Sequence, residues 1–248
     1  MPPPRRIPQR RPIQRRPDPF PAQLISDLRR FLQTNAQRSR EPQASPEVFG
    51  HPILHPLQRA NELTFMLRLL ADVQPRSLLE IGTDKGGGLY HFCQTLNLKQ
   101  VIGIDQRGCP FGQLFEQAFP KLQFHWVPRH SRATGVVNSV QQFLRGEPLD
   151  VLFLDGDELQ FREDLEAYWP LLRKPGGVVF IHDIVNPAPR AAFEAYRKQA
   201  RCYSVLLDTA ESREALASQE AGKPAASAYE GWLRHWHGAG CGVGILLL

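Results

Sequence analysis

Residues 77–88 read Ser-Leu-Leu-Glu-Ile-Gly-Thr-Asp-Lys-Gly-Gly-Gly, and residues 101–105 read Val-Ile-Gly-Ile-Asp. The first is an apolar run that closes on an acid, Glu80, and opens into a glycine-rich turn. The second is an apolar run that ends in Asp105. The spacing between them suits one short helix. This layout predicts two neighbouring parallel strands with a small ligand at their carboxyl ends. Glycine lets the backbone approach such a ligand closely, and an acid closing the second strand can hydrogen-bond ribose hydroxyls. The candidate binding residues are therefore Glu80, Gly82, Thr83, Gly86, Gly88 and Asp105.

Working outward, the same strand–helix alternation continues. Strands are predicted at 77–81, 100–105, 122–127, 150–155, 177–182, 203–207 and 242–248. Helices are predicted near 87–97, 111–118, 133–145, 160–173 and 190–201. Alternation with short loops predicts an α/β fold whose parallel sheet is covered by helices on both faces. Asn186-Pro187-Ala188-Pro189 reads as a loop. Two amphipathic segments precede the sheet, at 22–33 and 57–71, the second with Leu63, Met66, Leu67 and Leu70 at helical spacing. The expected organisation is a tail over 1–21, a helical cap and linker over 22–71, and the α/β domain over 72–248. A polar insertion lies near 210–228.

Composition narrows the function classes. The chain of 248 residues is long enough to bury a core without staples. Its four cysteines form no Cys-x-x-Cys pair, so neither a zinc ribbon nor a dithiol site is indicated. No stretch has the length of a membrane span and the amino terminus lacks an apolar signal core, so a cytoplasmic location is expected. The net charge of +5 resides in the tail, where six arginines and one acid lie within residues 1–22. That segment is proline-rich and cannot bury a core, so it reads as an extended or disordered solvated extension. Recruitment of a nucleic acid is the rival reading. Arginine without interleaved aromatics gives no platform for base stacking, which favours the first.

A second constellation lies at the ends of strands four and five. Strand four runs into Asp155-Gly156-Asp157-Glu158 and strand five into His182-Asp183. In a parallel sheet these residues face the same crevice as Glu80 and Asp105. Acids and an imidazole there leave two uses open. One is a divalent cation held by carboxylates; the other is metal-free general-base chemistry by His182.

The glycine spacing departs from the dinucleotide fingerprint, since Asp84 stands where its second glycine would be. Glu80-x-Gly82-x-x-x-Gly86 with Asp105 instead resembles the first motif and ribose acid of the class I S-adenosylmethionine (SAM) methyltransferases. The Asp-Gly-Asp run, the acidic helix ending Trp169-Pro170-Leu171-Leu172, the Pro175-Gly176-Gly177 turn and the closing His-Asp resemble the cephalosporin-hydroxylase-like and macrocin-type O-methyltransferases. The resemblance covers roughly residues 57–207 and the last strand. It implies a Rossmann-like sheet of seven strands, the last antiparallel and inserted between strands five and six. It also implies SAM as cofactor, a small-molecule acceptor, and Mg²⁺ on Asp155, His182 and Asp183. Asp155 joins the cofactor contacts, and His182, Asp183 and Glu158 become the candidate catalytic residues. Glu158 is a departure, standing where the family commonly carries histidine. A carboxylate base is one consequence; loss of turnover in a protein that still binds the nucleotide is the other. A nucleic-acid methyltransferase is disfavoured, because strand four lacks an Asn/Asp-Pro-Pro-Tyr ending. The pattern leaves the oligomeric state open.

Overall fold

The computed structural model describes residues 53–184, 186–197, 204–206 and 242–248, with positions 26, 29, 30, 48 and 51. The expected helix at 22–33 falls mostly outside them, although Ser26, Arg29 and Arg30 are helical. The 210–228 insertion also lies outside.

Helix α1 (Ala60–Val73) leads into the sheet. Then follow β1 (Ser77–Ile81), α2 (Gly87–Thr95), β2 (Gln100–Ile104), α3 (Gly112–Ala118), β3 (Gln123–Val127), α4 (Val136–Leu144) and β4 (Val151–Leu154). The second half comprises α5 (Phe161–Tyr168), β5 (Val178–Ile181), α6 (Pro187–Arg197), β6 (Ser204–Leu206) and β7 (Gly244–Leu247). The seven strands lie in the order β3-β2-β1-β4-β5-β7-β6. β1 to β5 pair in parallel, and β7 runs antiparallel between β5 and β6. This is the Rossmann-like sheet that the resemblance implied, with its inserted last strand.

Strand parity sorts the core into two layers. Leu78, Val101, Phe153, Phe180 and Ile245 point to the face covered by α1, α2 and α3. Leu79, Ile102, Leu152, Val179 and Leu246 point to the face covered by α4, α5 and α6. Both sets are buried, which is why these strands read as apolar runs without polar alternation. The same parity decides the side on which the site is built. Glu80 shares the face of Leu78, Asp155 that of Phe153, and His182 that of Phe180, because side chains two apart on a strand point the same way.

Three expectations change at element ends. The helix expected over 160–173 is three pieces: a 3₁₀ turn at Glu158–Gln160, α5, and a 3₁₀ turn at Trp169–Leu171. Pro170 supplies no N–H and crowds the preceding turn, so the α-helix stops ahead of it. α4 starts at Val136 rather than Ala133, behind Gly135 at φ 85°. Most informative is α6. Pro187-Ala188-Pro189, expected as loop, forms its first turn. Proline is tolerated there because the first-turn N–H groups have no intrahelical acceptor and its φ is already helical.

Candidate functional site

The glycine loop between β1 and α2 is held by backbone bonds. Gly82 N–H donates to Ile104 O at 2.8 Å and Gly86 N–H to Thr83 O at 2.8 Å. Gly82 has φ 94°, and a Cβ there would overlap the Asp155 carbonyl. Only glycine serves at this crossing of β1 and β4. Asp84, at φ 44°, donates its N–H to Asp105 Oδ2 at 2.9 Å, so the loop is tied to the end of β2. Asp105 Oδ1 accepts from Arg107 N–H at 2.8 Å, and Arg107 also pairs with Asp84 at 3.1 Å.

A cavity of about 380 Å³ opens at the carboxyl ends of β1, β2 and β4. Gly82, Asp84 and Asp105 form one wall, Arg129, His130 and Ser131 a second, and Asp155, Gly156 and Asp157 a third. This is the crevice where open α/β sheets bind ligands, and its size lies within the usual range for small-molecule sites. β3 ends at Val127, so His130 reaches the cavity from the following loop. Ser131 is engaged elsewhere: its hydroxyl donates to buried Asp164 at 2.5 Å, and Tyr168 OH donates to its carbonyl at 2.6 Å. Burial pushes the Asp164 carboxyl up, against the lowering pull of that hydroxyl.

Beside the cavity the strand ends bring Asp155, His182 and Asp183 together. His182 is 3% exposed. Its Nδ1 lies 3.0 Å from Asp155 Oδ1 and 3.2 Å from Asp183 Oδ2. Its Nε2 faces Glu62 Oε2 at 3.4 Å. With carboxylates at both ring nitrogens, the arrangement calls for two N–H donors, hence an imidazolium. Burial disfavours that charge, but Asp155 and Asp183 outweigh it and hold His182 well above its ordinary value. Burial pushes the Asp155 carboxyl up despite His182; at Glu62 the imidazole wins and the carboxyl is lowered. Glu158 joins from the 3₁₀ turn, accepting from Asn186 Nδ2 at 2.9 Å. Its carboxyl is raised by burial and by Asp183, against the Asn186 hydrogen bond. Asp157 lines the cavity as expected and turns its carboxylate to cap the turn, accepting from Leu159 N–H at 3.2 Å and Gln160 Nε2 at 2.8 Å.

The fit to Mg²⁺ can be tested on this geometry. One ligand atom from each of Asp155, His182 and Asp183 lies within 4.8 Å of the others, compact enough for a cation. The donor set is two carboxylates and one imidazole, whereas Mg²⁺ prefers oxygen ligands in near-octahedral geometry. Asp155 and Asp183 would hold such an ion through oxygen, with His182 lying between them in a close-packed ion cluster.

Two site residues escaped the sequence reading. Glu62 on α1 faces His182 and accepts from Gly242 N–H at 2.7 Å, joining α1, β5 and the approach to β7. Gln58, just ahead of α1, donates its amide to Asp155. Glu62 reads as the capping box that it also is, with Arg59 N–H donating to Oε2 at 3.2 Å. Only strand parity together with the placement of α1 would have shown its second role. His91 on α2 is fully buried, and burial lowers it to about 4. Glu80 is 1% exposed. Burial first, then Asp155, Asp105 and Asp84, push its carboxyl well above the usual range.

Residues 79–184 match the model of a family described as a methyltransferase domain. Comparison with curated proteins found no match. Among solved structures, the chain is similar to the O-methyltransferase TomG from Streptomyces achromogenes, crystallised with SAM. The TM-score is 0.51 and the identity 16%, over 90% of this chain and 96% of that one. It is also similar to a putative O-methyltransferase from Klebsiella pneumoniae, with TM-score 0.50 and 14% identity over 89% of each chain. At these identities the likeness is one of fold.

Proposed function

We propose that this chain, whose core carries a methyltransferase domain, transfers the methyl group of SAM to a hydroxyl of a small-molecule acceptor. The observation that carries the reading is the cavity. A glycine loop pinned to β2 and β4 opens onto a cavity lined by Asp84, Asp105 and Asp155, with Glu80 buried beside them. Such a site favours a ligand with positive charge and a ribose, and SAM carries a sulfonium, an ammonium and a ribose. TomG, crystallised with SAM, supports the same choice.

In this reading the ribose hydroxyls bind Asp105, and the adenine lies against the wall of Arg129 and His130. The methionyl end rests on the glycine loop, its carboxylate at the N-terminus of α2, where backbone N–H groups point outward. The acceptor hydroxyl lies beside Glu158, Asp183 and His182. Its oxygen attacks the methyl carbon in line with the departing sulfur, which leaves as neutral S-adenosylhomocysteine. The hydroxyl proton passes to a carboxylate. Glu158, raised by burial and next in sequence to the cavity-lining Asp157, suits that role. His182, charged between the surrounding carboxylates, holds Asp155 and Asp183 in place and takes no proton. Positioning supplies most of the rate, since nucleophile and methyl carbon must meet at about 3 Å in line.

Calorimetry with SAM, followed by mass spectrometry of a panel of hydroxylated small molecules incubated with chain and SAM, tests the reading. A mass gain of one methyl group on an acceptor is expected. No SAM binding at submillimolar concentration overturns it, and binding without transfer to any acceptor points to a nucleotide-binding protein without turnover.

A further inference from the structure

A second cavity, of about 250 Å³, lies at the end of the sheet away from the acidic crevice. It opens where β1, β2, β3 and β4 begin, so the length of β1, five residues or about 17 Å, separates it from that crevice. Its lining has the opposite charge. Arg76, Lys99, Arg145 and Arg173 face it with only two carboxylates, Glu147 and Asp150.

Those carboxylates leave most of the positive charge uncompensated. Asp150 is 4% exposed and already engaged: it accepts from Arg76 N–H and Ser77 N–H, and Arg173 pairs with its other oxygen. Among the described residues, Arg76, Lys99, Arg145 and Glu147 form no ion pair. Three cationic side chains therefore meet at one cavity without a bound counter-charge.

The backbone that carries them is fixed. Lys99 N–H donates to Arg76 O at 2.7 Å, Gln100 N–H to the same carbonyl at 3.0 Å, and Gln123 N–H to Lys99 O at 2.8 Å. Gln100 Nε2 donates to Phe143 O at 2.9 Å, which ties the start of β2 to the last turn of α4. Arg145 caps that helix in the left-handed region, at φ 54°, where arginine is uncommon. A frame already in place has less freedom to lose when a ligand arrives.

Such a site suits a compact anion. The cavity is smaller than the roughly 300–1,000 Å³ that encloses a drug-sized ligand. Four cations against two carboxylates match a dianion better than a single negative charge. A phosphate monoester carries about −1.5 to −2 charges at pH 7 and three acceptor oxygens, and arginine forks pair with such oxygens through parallel N–H bonds. A phosphodiester has one charge and two free oxygens, too few for three cations. We propose that this cavity binds a phosphate dianion, free or as a small organic monoester, with Arg76, Lys99 and Arg145 as its counter-charges. The site stands apart from the cofactor crevice and does not depend on the methyl-transfer reading.

The test is an NMR titration of the full chain, labelled with ¹⁵N, at constant ionic strength. The probes are inorganic phosphate, phenyl phosphate and the monoanionic diester dimethyl phosphate. The two dianions should shift the amides of Lys99, Gln123 and Gly146 together and saturably, with a Kd of about 1 mM. Dimethyl phosphate should bind about tenfold more weakly or worse. Tighter binding of phenyl phosphate assigns the site to an organic monoester, and tighter binding of inorganic phosphate to the free ion. Lys99→Gln, and Arg145→Asn, which suits the left-handed cap, should each weaken the dianions by about fivefold. Arg68→Gln, which removes one charge from the exposed face of α1, should not. The amide spectra report that each variant is folded. Equal weakening by all three variants would mean diffuse attraction to positive charge and overturns the proposal. So do shifts confined to the arginine-rich tail, or no saturable shift up to about 10 mM.

Discussion

At the scale of single residues, Glu80 shows what a buried acid costs its own fold. It stands on a central strand, pointed by parity into the α1 side, with Asp155, Asp105 and Asp84 around it. Its folded-state pKa lies above the ordinary 4.5, so the native protein binds more protons than the unfolded chain above that pH. Stability contributed by this group falls as pH rises from about 4.5 toward the folded value. Glu80→Gln removes the liability. Its melting temperature at pH 8 should exceed that of the wild type by about 3 °C, and the gap should close toward pH 5. A thermal melt across that range checks this, and a variant less stable at pH 8 contradicts it. A cation seated beside Glu80 reverses the shift, so cofactor affinity in the wild type should rise with pH. His182 yields a second prediction at this scale. If the His182 charge fills the place a metal would take, methyl transfer should persist in excess EDTA. Activity lost to EDTA and restored by Mg²⁺ would overturn the ion-cluster description.

Among elements, the end of the sheet opposite the site is fastened by one carboxylate. Asp150, just ahead of β4, accepts from Arg76 N–H at 2.6 Å and Ser77 N–H at 3.0 Å, and Arg173 bonds its other oxygen. Asp150 N–H in turn donates to Ser77 Oγ at 2.9 Å. One side chain thus sets the start of β1, the start of β4 and the approach to β5. Asp150→Ala leaves buried donors unsatisfied and should cost about 3 kcal/mol. Urea unfolding should show a lower midpoint at unchanged slope; a midpoint within error of the wild type would mean that water replaces the carboxylate. Legibility in the sequence also divides by element. The strands were readable because burial on both faces leaves continuous apolar runs, and their acidic ends marked Glu80, Asp105, Asp155 and Asp183. The helix ends were not, because proline has opposite meanings at two places: Pro170 stops α5, whereas Pro187 starts α6. Local sequence does not state which N–H groups are already without acceptors.

For the molecule as a whole, the contrast is between an acidic crevice and a basic tail. Glu62 and Gln58 were invisible in sequence because their partners lie far along the chain, in β4, β5 and the approach to β7. Only the closed sheet brings α1 over them. The tail, by comparison, is legible in composition alone: its arginines account for the whole net charge of +5. The two features point to different partners. Asp84, Asp105 and Asp155 line a cavity that repels a phosphate backbone, whereas the arginines of residues 5–16 attract one. If the acceptor is a small molecule, the tail takes no part in the reaction. Deleting residues 1–21 should then leave SAM affinity and turnover within about twofold of the full chain, at low and at high salt alike. If the acceptor were a nucleic acid, the truncation would raise its KM steeply, and the full chain would lose affinity for it as salt rises, by about one counterion per phosphate contact. Turnover of the two forms measured side by side at 50 and 200 mM salt, with the hydroxylated panel and with an oligonucleotide, separates these outcomes. An intact small-molecule activity in the truncated chain, flat in salt, places recognition wholly in the crevice at the carboxyl ends of the strands.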